Sequence, residues 1–153
     1  MMSTASDLAF LFSRDLTRLG RQIDAFPDDE TLWKTLPGVL NPAGNLTLHI
    51  EGNLLEFVGR QLGKLPHKRN RELEFSLKGM SRHEISTRIA ELRQSIPAVI
   101  HDLSAEQMEM QYPEVVLEVA TTTGQFLIHL YGHLNWHLGQ IDYLRRTLIA
   151  DRG

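Results

Sequence analysis

The chain has 153 residues, a net charge of −3 with histidine neutral, 42% hydrophobic and 23% charged residues, and no cysteine. This balance fits one globular domain, 1–153, with a sizeable core. It excludes disulfides, thiolate metal sites and a cysteine nucleophile, and it lacks the basic face of a duplex binder, so no nucleic-acid partner is expected. The opening MMSTASDLAFLFSRDL has no basic segment ahead of a long apolar run, and no stretch nears the roughly 18 apolar residues of a membrane span. The expectation is a cytoplasmic protein with no membrane partner.

Helical periodicity dominates. Leu8, Phe12, Leu16, Leu19 and Ile23 recur at three- and four-residue spacing and predict a first helix from about Ser6 to Phe26. FPDDE breaks it. A short turn or helix near Thr31 to Leu36 leads into PGVLNPAGN, a loop rich in Pro and Gly. A second helix runs from Pro42 or Ala43 to Leu62, with Gly63 as its stop. KLPHKRNRELEFSLKGM reads as a long polar connection, and its HKRNR run as a solvated loop. Ser81 with Glu84 three residues on is a capping box that opens a third helix, continuing to about Leu103 with Pro97 as a kink. SAEQMEMQYPEVVLEV is irregular, with a short extended piece at Val115 to Val119. A fourth helix covers about Thr121 to Ala150. Four long helices and long connections predict an all-α, antiparallel four-helix bundle.

The last helix carries His129, His133 and His137 at strict four-residue spacing. Seven histidines in 153 residues give about 0.3 His-x-x-x-His pairs by chance; here two overlap. On a wheel of 100° per residue the three lie within about 80°, with Gln140, Leu144 and Thr147 on the same side. Leu130, Leu134 and Ile141 flank one edge, and Trp136 and Tyr143 the other. The row is therefore expected to face the bundle interior. Buried imidazoles need partners, either a hydrogen-bonded network or a metal ion, for which neutral imidazole is the commonest ligand. Residues i and i+4 can share an ion, whereas i and i+8 lie about 12 Å apart along the axis. The pair is either His129 with His133 or His133 with His137.

His49 is the histidine of the second helix. It shares a polar stripe with Asn45, Asn53, Glu56 and Arg60, which is either the solvent side or the lining of a polar pocket between helices. His67, His83 and His101 read as surface residues.

NPAGNLTLHIEGNLLEFVG, followed much later by GHLNWHLGQIDYLRR, resembles the DinB/YfiT-like superfamily of bacterial metal-binding four-helix bundles. The pattern is one histidine on the second helix and a His-x-x-x-His on the last, followed by Gly-Gln-hydrophobic, here Gly139-Gln140-Ile141. The resemblance implies a three-histidine site formed by His49, His133 and His137, with zinc or nickel as the divalent ion, and a homodimer. It leaves His129 as a neighbour of the site. It also implies, for some members, a thiol-dependent transferase or isomerase using a low-molecular-weight thiol such as bacillithiol, mycothiol or glutathione.

Three neutral histidines leave the ion's charge uncompensated and at least one coordination position open, the catalytic type of site. Such a position favours either hydroxide for hydrolysis or an external thiol as thiolate. The expected function is a thiol-dependent S-transferase acting on a small molecule. The alternatives are a metal-dependent hydrolase and a non-catalytic metal-binding or stress-related protein. Gln140 is a candidate for orienting a ligand or water, and Glu56 a candidate general base. GQFLIHLYGH is not a nucleophile elbow, and no Gly-rich phosphate loop precedes a helix.

Overall fold

The computed structural model describes residues 3–151. In chain order its helices are α1 (Thr4–Asp24), α2 (Asp29–Leu32), α3 (Ala43–Leu54), α4 (Arg71–Ser76), α5 (Arg82–His101), α6 (Ala105–Glu109) and α7 (Thr123–Ala150). α3 runs directly into a π-helical segment, Leu55–Arg60. The long elements α1, α3, α5 and α7 form a four-helix bundle, with α1 and α3 each packed against both α5 and α7. No helix among the described residues is long and apolar enough to cross a membrane.

The helix ends follow from their caps. α1 begins two residues before the expected Ser6, because Ser3 accepts from the Ser6 amide and acts as N-cap. Its Leu8, Phe12, Leu16, Leu19 and Ile23 are buried as their spacing demands. The Ser81–Glu84 capping box opens α5 as expected, and α5 continues through Pro97. A second box, Thr122 with Gln125, starts α7 at Thr123.

Three expectations need correction. Gly63 is not the left-handed stop of the second helix; Lys64 is, at φ 55°. Ahead of it the chain has widened into π geometry, with Gln61 N bonded to Glu56 O and Gly63 N to Val58 O. Gly63 serves close packing instead, since a Cβ there would lie 2.9 Å from the Gly59 carbonyl oxygen and collide with Val99 of α5. Val115 to Val119 form no strand: they lie in a run of bends and irregular backbone with Val115 and Val119 exposed and no strand among the described residues to pair with. The extended pairing nearby is a single antiparallel bridge, Gln111 with Thr122.

The third correction matters most for the site. The polar connection after residue 63 contains α4, capped by Asn70, which accepts from the Leu73 amide at 3.1 Å. α4 packs on α3. With α5 and α7 on its other sides, α3 is buried at every position from Ala43 to Leu54 except Glu51. The Asn45–His49–Asn53 stripe is thus an interior surface.

Candidate metal centre

The site forms where α3 faces the middle of α7. His49 is 7% exposed, and His133 and His137 are half-buried on the edge of α7 nearest to it. All three rings turn the same nitrogen inward. His49 Nε2 lies 3.1 Å from His133 Nε2, which lies 3.1 Å from His137 Nε2. Among the described residues this is the group whose ligand atoms all lie within 4.8 Å of one another. His129, one turn earlier, is exposed and stacks on Phe126 at 5.8 Å, outside the group.

The outward nitrogens of two rings are held by other side chains. His49 Nδ1 donates to Glu74 Oε2 at 2.8 Å, and His137 Nδ1 to Gln140 Oε1 at 2.7 Å. Glu74 comes from α4 and is itself only 6% exposed. Arg69 clamps it, with Nε 2.6 Å from Oε1 and Nη2 3.0 Å from Oε2. Asn45 fixes the α4 backbone by donating to the Glu74 and Leu77 carbonyls, each at 2.9 Å. Gly52 leaves room for the carboxylate, because a Cβ at that position would collide with Glu74 Oε1 and lie 2.7 Å from Glu74 Cδ.

This arrangement dictates the tautomers. With Nδ1–H committed to Glu74 and Gln140, the inward nitrogens of His49 and His137 are lone pairs. A neutral His133 can donate its single Nε2–H to only one of them, so the other lone pair is left without a hydrogen and the inward lone pairs of His49 and His137 repel across the cluster. A cation among the three nitrogens would turn that repulsion into ligation. A tetrahedral ion bound at about 2.0–2.1 Å holds its ligand nitrogens about 3.3 Å apart, close to the two 3.1 Å separations here. The residues fit a three-histidine metal site.

Protonation points the same way. Burial pushes the His133 imidazole down to about 4, helped by the neighbouring histidines and Arg69. Burial also lowers His137, outweighing the opposing hydrogen bond to Gln140. Both rings are neutral at pH 7, the form that ligates metal. Burial raises Glu74, but the hydrogen bonds from His49 and Arg69 and the guanidinium charge outweigh it and hold the carboxyl below its ordinary range.

The other expected residues are placed as follows. Gln140 is exposed and oriented by His137. Glu56 is in an ion pair with Arg60, at 2.5 Å to Nη2 and 3.0 Å to Nε, and that hydrogen bonding lowers its carboxyl and makes it a weaker base. The expected aromatic edge of α7 faces outward: Trp136 is 71% and Tyr143 76% exposed, so the histidine row lies on the rim of the buried face rather than at its centre. HKRNR is not wholly solvated, since Arg69 turns inward to Glu74 and His67 is half-buried with its Nε2 buried. His83 and His101 are exposed, as expected. Glu74 and Arg69 were missed. The available signal was Asn70 as an N-cap ahead of Arg71–Ser76, a segment too short to show a period.

Beside His137 and Gln140 a cavity of about 460 Å³ opens between α7 and the loop ahead of α3. Leu36, Val39 and Leu40 form its loop side, and Leu46, Leu144 and Tyr143 its helical sides.

Together these features define a helical bundle with a candidate metal centre shared between its second and fourth long helices and bordered by an open cavity. The fold is the DinB-like bundle: the crystal structure of a DinB-like protein from Bacillus cereus ATCC 10987 matches with a TM-score of 0.66 and 17% identity, covering 87% of this chain and 85% of that one. No protein-family model matches the sequence, and neither does any curated protein.

Proposed function

We propose that His49, His133 and His137 hold one divalent ion, zinc or nickel, and that the protein is a thiol-dependent S-transferase acting on a small molecule. The observation that carries the metal reading is the convergence of three Nε2 atoms while the outward nitrogens of His49 and His137 are bound by Glu74 and Gln140. A divalent ion with three neutral nitrogen ligands supplies Lewis acidity and at least one further coordination position.

The chain's own residues set the rest. Glu74, clamped by Arg69, fixes the ring of His49, and Gln140 fixes that of His137. The cavity touching His137 gives a second molecule room beside the cluster, which favours an enzyme over an ion that only secures the bundle. The chain has no cysteine, so the sulfur must come from a cosubstrate. In the reaction R′S–H + R–X, the S–C bond forms, the C–X bond breaks, and the proton leaves with X, with no oxidant or reductant required. Hydrolysis is the same displacement with water in place of the thiol.

The test is elemental analysis of untagged protein with His133→Ala alongside, followed by thiol-consumption and hydrolysis assays with the metal found. About one equivalent of metal in the wild type, lost in the variant, supports the site. Metal-dependent loss of free thiol in the presence of an alkyl or aryl electrophile supports the transferase, whereas thiol-independent turnover assigns a hydrolase. No retained ion after incubation with zinc or nickel refutes the metal reading.

A further inference from the structure

The cavity beside His137 has a consistent chemistry. Its walls are aliphatic and aromatic side chains, and its remaining polar residues, Asn41, Gln140 and Thr147, are uncharged. Among the described residues no Asp, Glu, Lys or Arg lines it, and His137 is its one imidazole. In the metal-free protein a charged ligand entering this space would give up hydration without meeting a counter-charge from the lining residues. An apolar body would instead cover Leu46 and Leu144, which are 5% and 4% exposed at the base, and Leu40, which is 92% exposed at the mouth. The volume of about 460 Å³ lies within the range of small-molecule sites.

One polar contact is available beside the cluster. The Gln140 amide oxygen is taken by His137 Nδ1–H, whereas its NH2 has no partner among the described residues. It is a donor to a neutral acceptor such as a carbonyl or ether oxygen.

We infer that this cavity selects uncharged molecules with an apolar alkyl or aryl body and a hydrogen-bond acceptor, and discriminates against carboxylates and ammonium ions of the same shape. The inference names the substrate class of the proposed transferase and rests on that reading for its catalytic meaning, but binding in the cavity requires no metal.

The experiment uses three probes with one body: 3-phenylpropionamide, 3-phenylpropionate and 3-phenylpropylammonium. Each is titrated into the protein as purified and after chelation, by calorimetry and by methyl NMR on Val39 and Leu144. The chelated sample removes any ligation of the carboxylate by metal. The amide is expected to bind and shift those methyls, and in the chelated sample both ions to bind at least about tenfold more weakly. Val39→Asp, on the loop rim at 38% exposure, should abolish amide binding with an unchanged circular dichroism spectrum and metal content, while Val39→Leu retains it. Equal or tighter binding of either ion to the chelated protein, binding unaffected by Val39→Asp, or no binding of the amide overturns the inference. Absence of metal together with selective amide binding would instead refute the metal reading and leave the cavity's selectivity standing.

Discussion

Replacing Glu74 by glutamine keeps the length of the side chain and removes its charge. The carboxylate is 6% exposed and accepts from Arg69 Nε at 2.6 Å, Arg69 Nη2 at 3.0 Å and His49 Nδ1 at 2.8 Å. A glutamine has one oxygen for these donors and turns an NH2 group towards the others. Removing one partner of a buried ion pair costs about 3–5 kcal/mol. Arg69 retains 16% side-chain exposure and can turn to water, so we expect a loss of about 2–3 kcal/mol in the metal-free protein. That corresponds to a fall in Tm of about 4–12 °C for a chain of this size. Metal affinity is a separate readout. Loss of the partner of a ligating histidine weakens binding about 10–100-fold, or about 1.4–2.7 kcal/mol. Gly52→Ala reaches the same atoms without changing their charge, by pushing the carboxylate off His49. The assay is competitive titration against a chromophoric chelator, with thermal melts in parallel. Both variants should lose affinity, and the double variant should lose less than the product of the two. A lower Tm with wild-type affinity in both variants would refute the reasoning and make Glu74 a structural ion-pair partner of Arg69 alone.

His129→Ala should keep the full metal content and change stability by less than about 0.5 kcal/mol, because the ring is exposed and outside the cluster; loss of metal would place His129 in the site. Burial raises the Asp15 carboxyl, but hydrogen bonds from Arg14, Tyr131 and Asn135 outweigh it and bring it down to about 2. The folded value lies below the unfolded one of about 3.9, so this group contributes about 2 kcal/mol that is fully present above roughly pH 5 and lost as pH falls through 2. Asp15→Asn should therefore be less stable at pH 7 and converge with the wild type near pH 2 in urea melts. Gly139 has open space where a Cβ would sit, in the middle of α7, so Gly139→Ala should stabilise by about 0.5–1 kcal/mol. Gly63→Ala should destabilise by about 1–3 kcal/mol through its clash with Val99. Equal effects of the two substitutions in denaturant titrations would contradict the packing assigned to them.

The bundle was legible because long helices repeat their instructions. α1 states its buried face five times, from Leu8 to Ile23, and α5 announces its start with Ser81 and Glu84. Short elements do not repeat. α4 has six residues, fewer than two turns, and its one buried position is a glutamate that composition assigns to solvent. The π segment was hidden for a different reason: its i to i+5 bonding has no sequence period of its own, and Gly59 and the nearby Gly63 face Ile96 and Val99 of α5, a tertiary contact that the local pattern does not carry. The wheel of α7 located the apolar face through Leu130, Leu134 and Ile141, but counted Trp136 and Tyr143 as part of it. Aromatic residues carry no sign of whether a partner covers them.

The histidines were legible as a set while their environment was not, and the environment determines the chemistry. Glu74 alone would place a negative charge next to His49 and offset part of the charge of a bound divalent ion. Arg69 cancels it, since the two side chains form a closed pair at 2.6 Å and 3.0 Å. Glu74 can therefore orient His49 through a strong hydrogen bond while the outer shell stays neutral overall. Among the described residues the cavity adds no carboxylate of its own. A divalent ion held by three neutral rings would then keep its positive charge for a ligand brought from outside, which favours an anionic sulfur or oxygen over a neutral one. On the proposed transferase reading the cavity would take the uncharged partner. Two reactants of different polarity would then have separate places on one face of α7, one at the histidine cluster and one in the cavity beside His137 and Gln140.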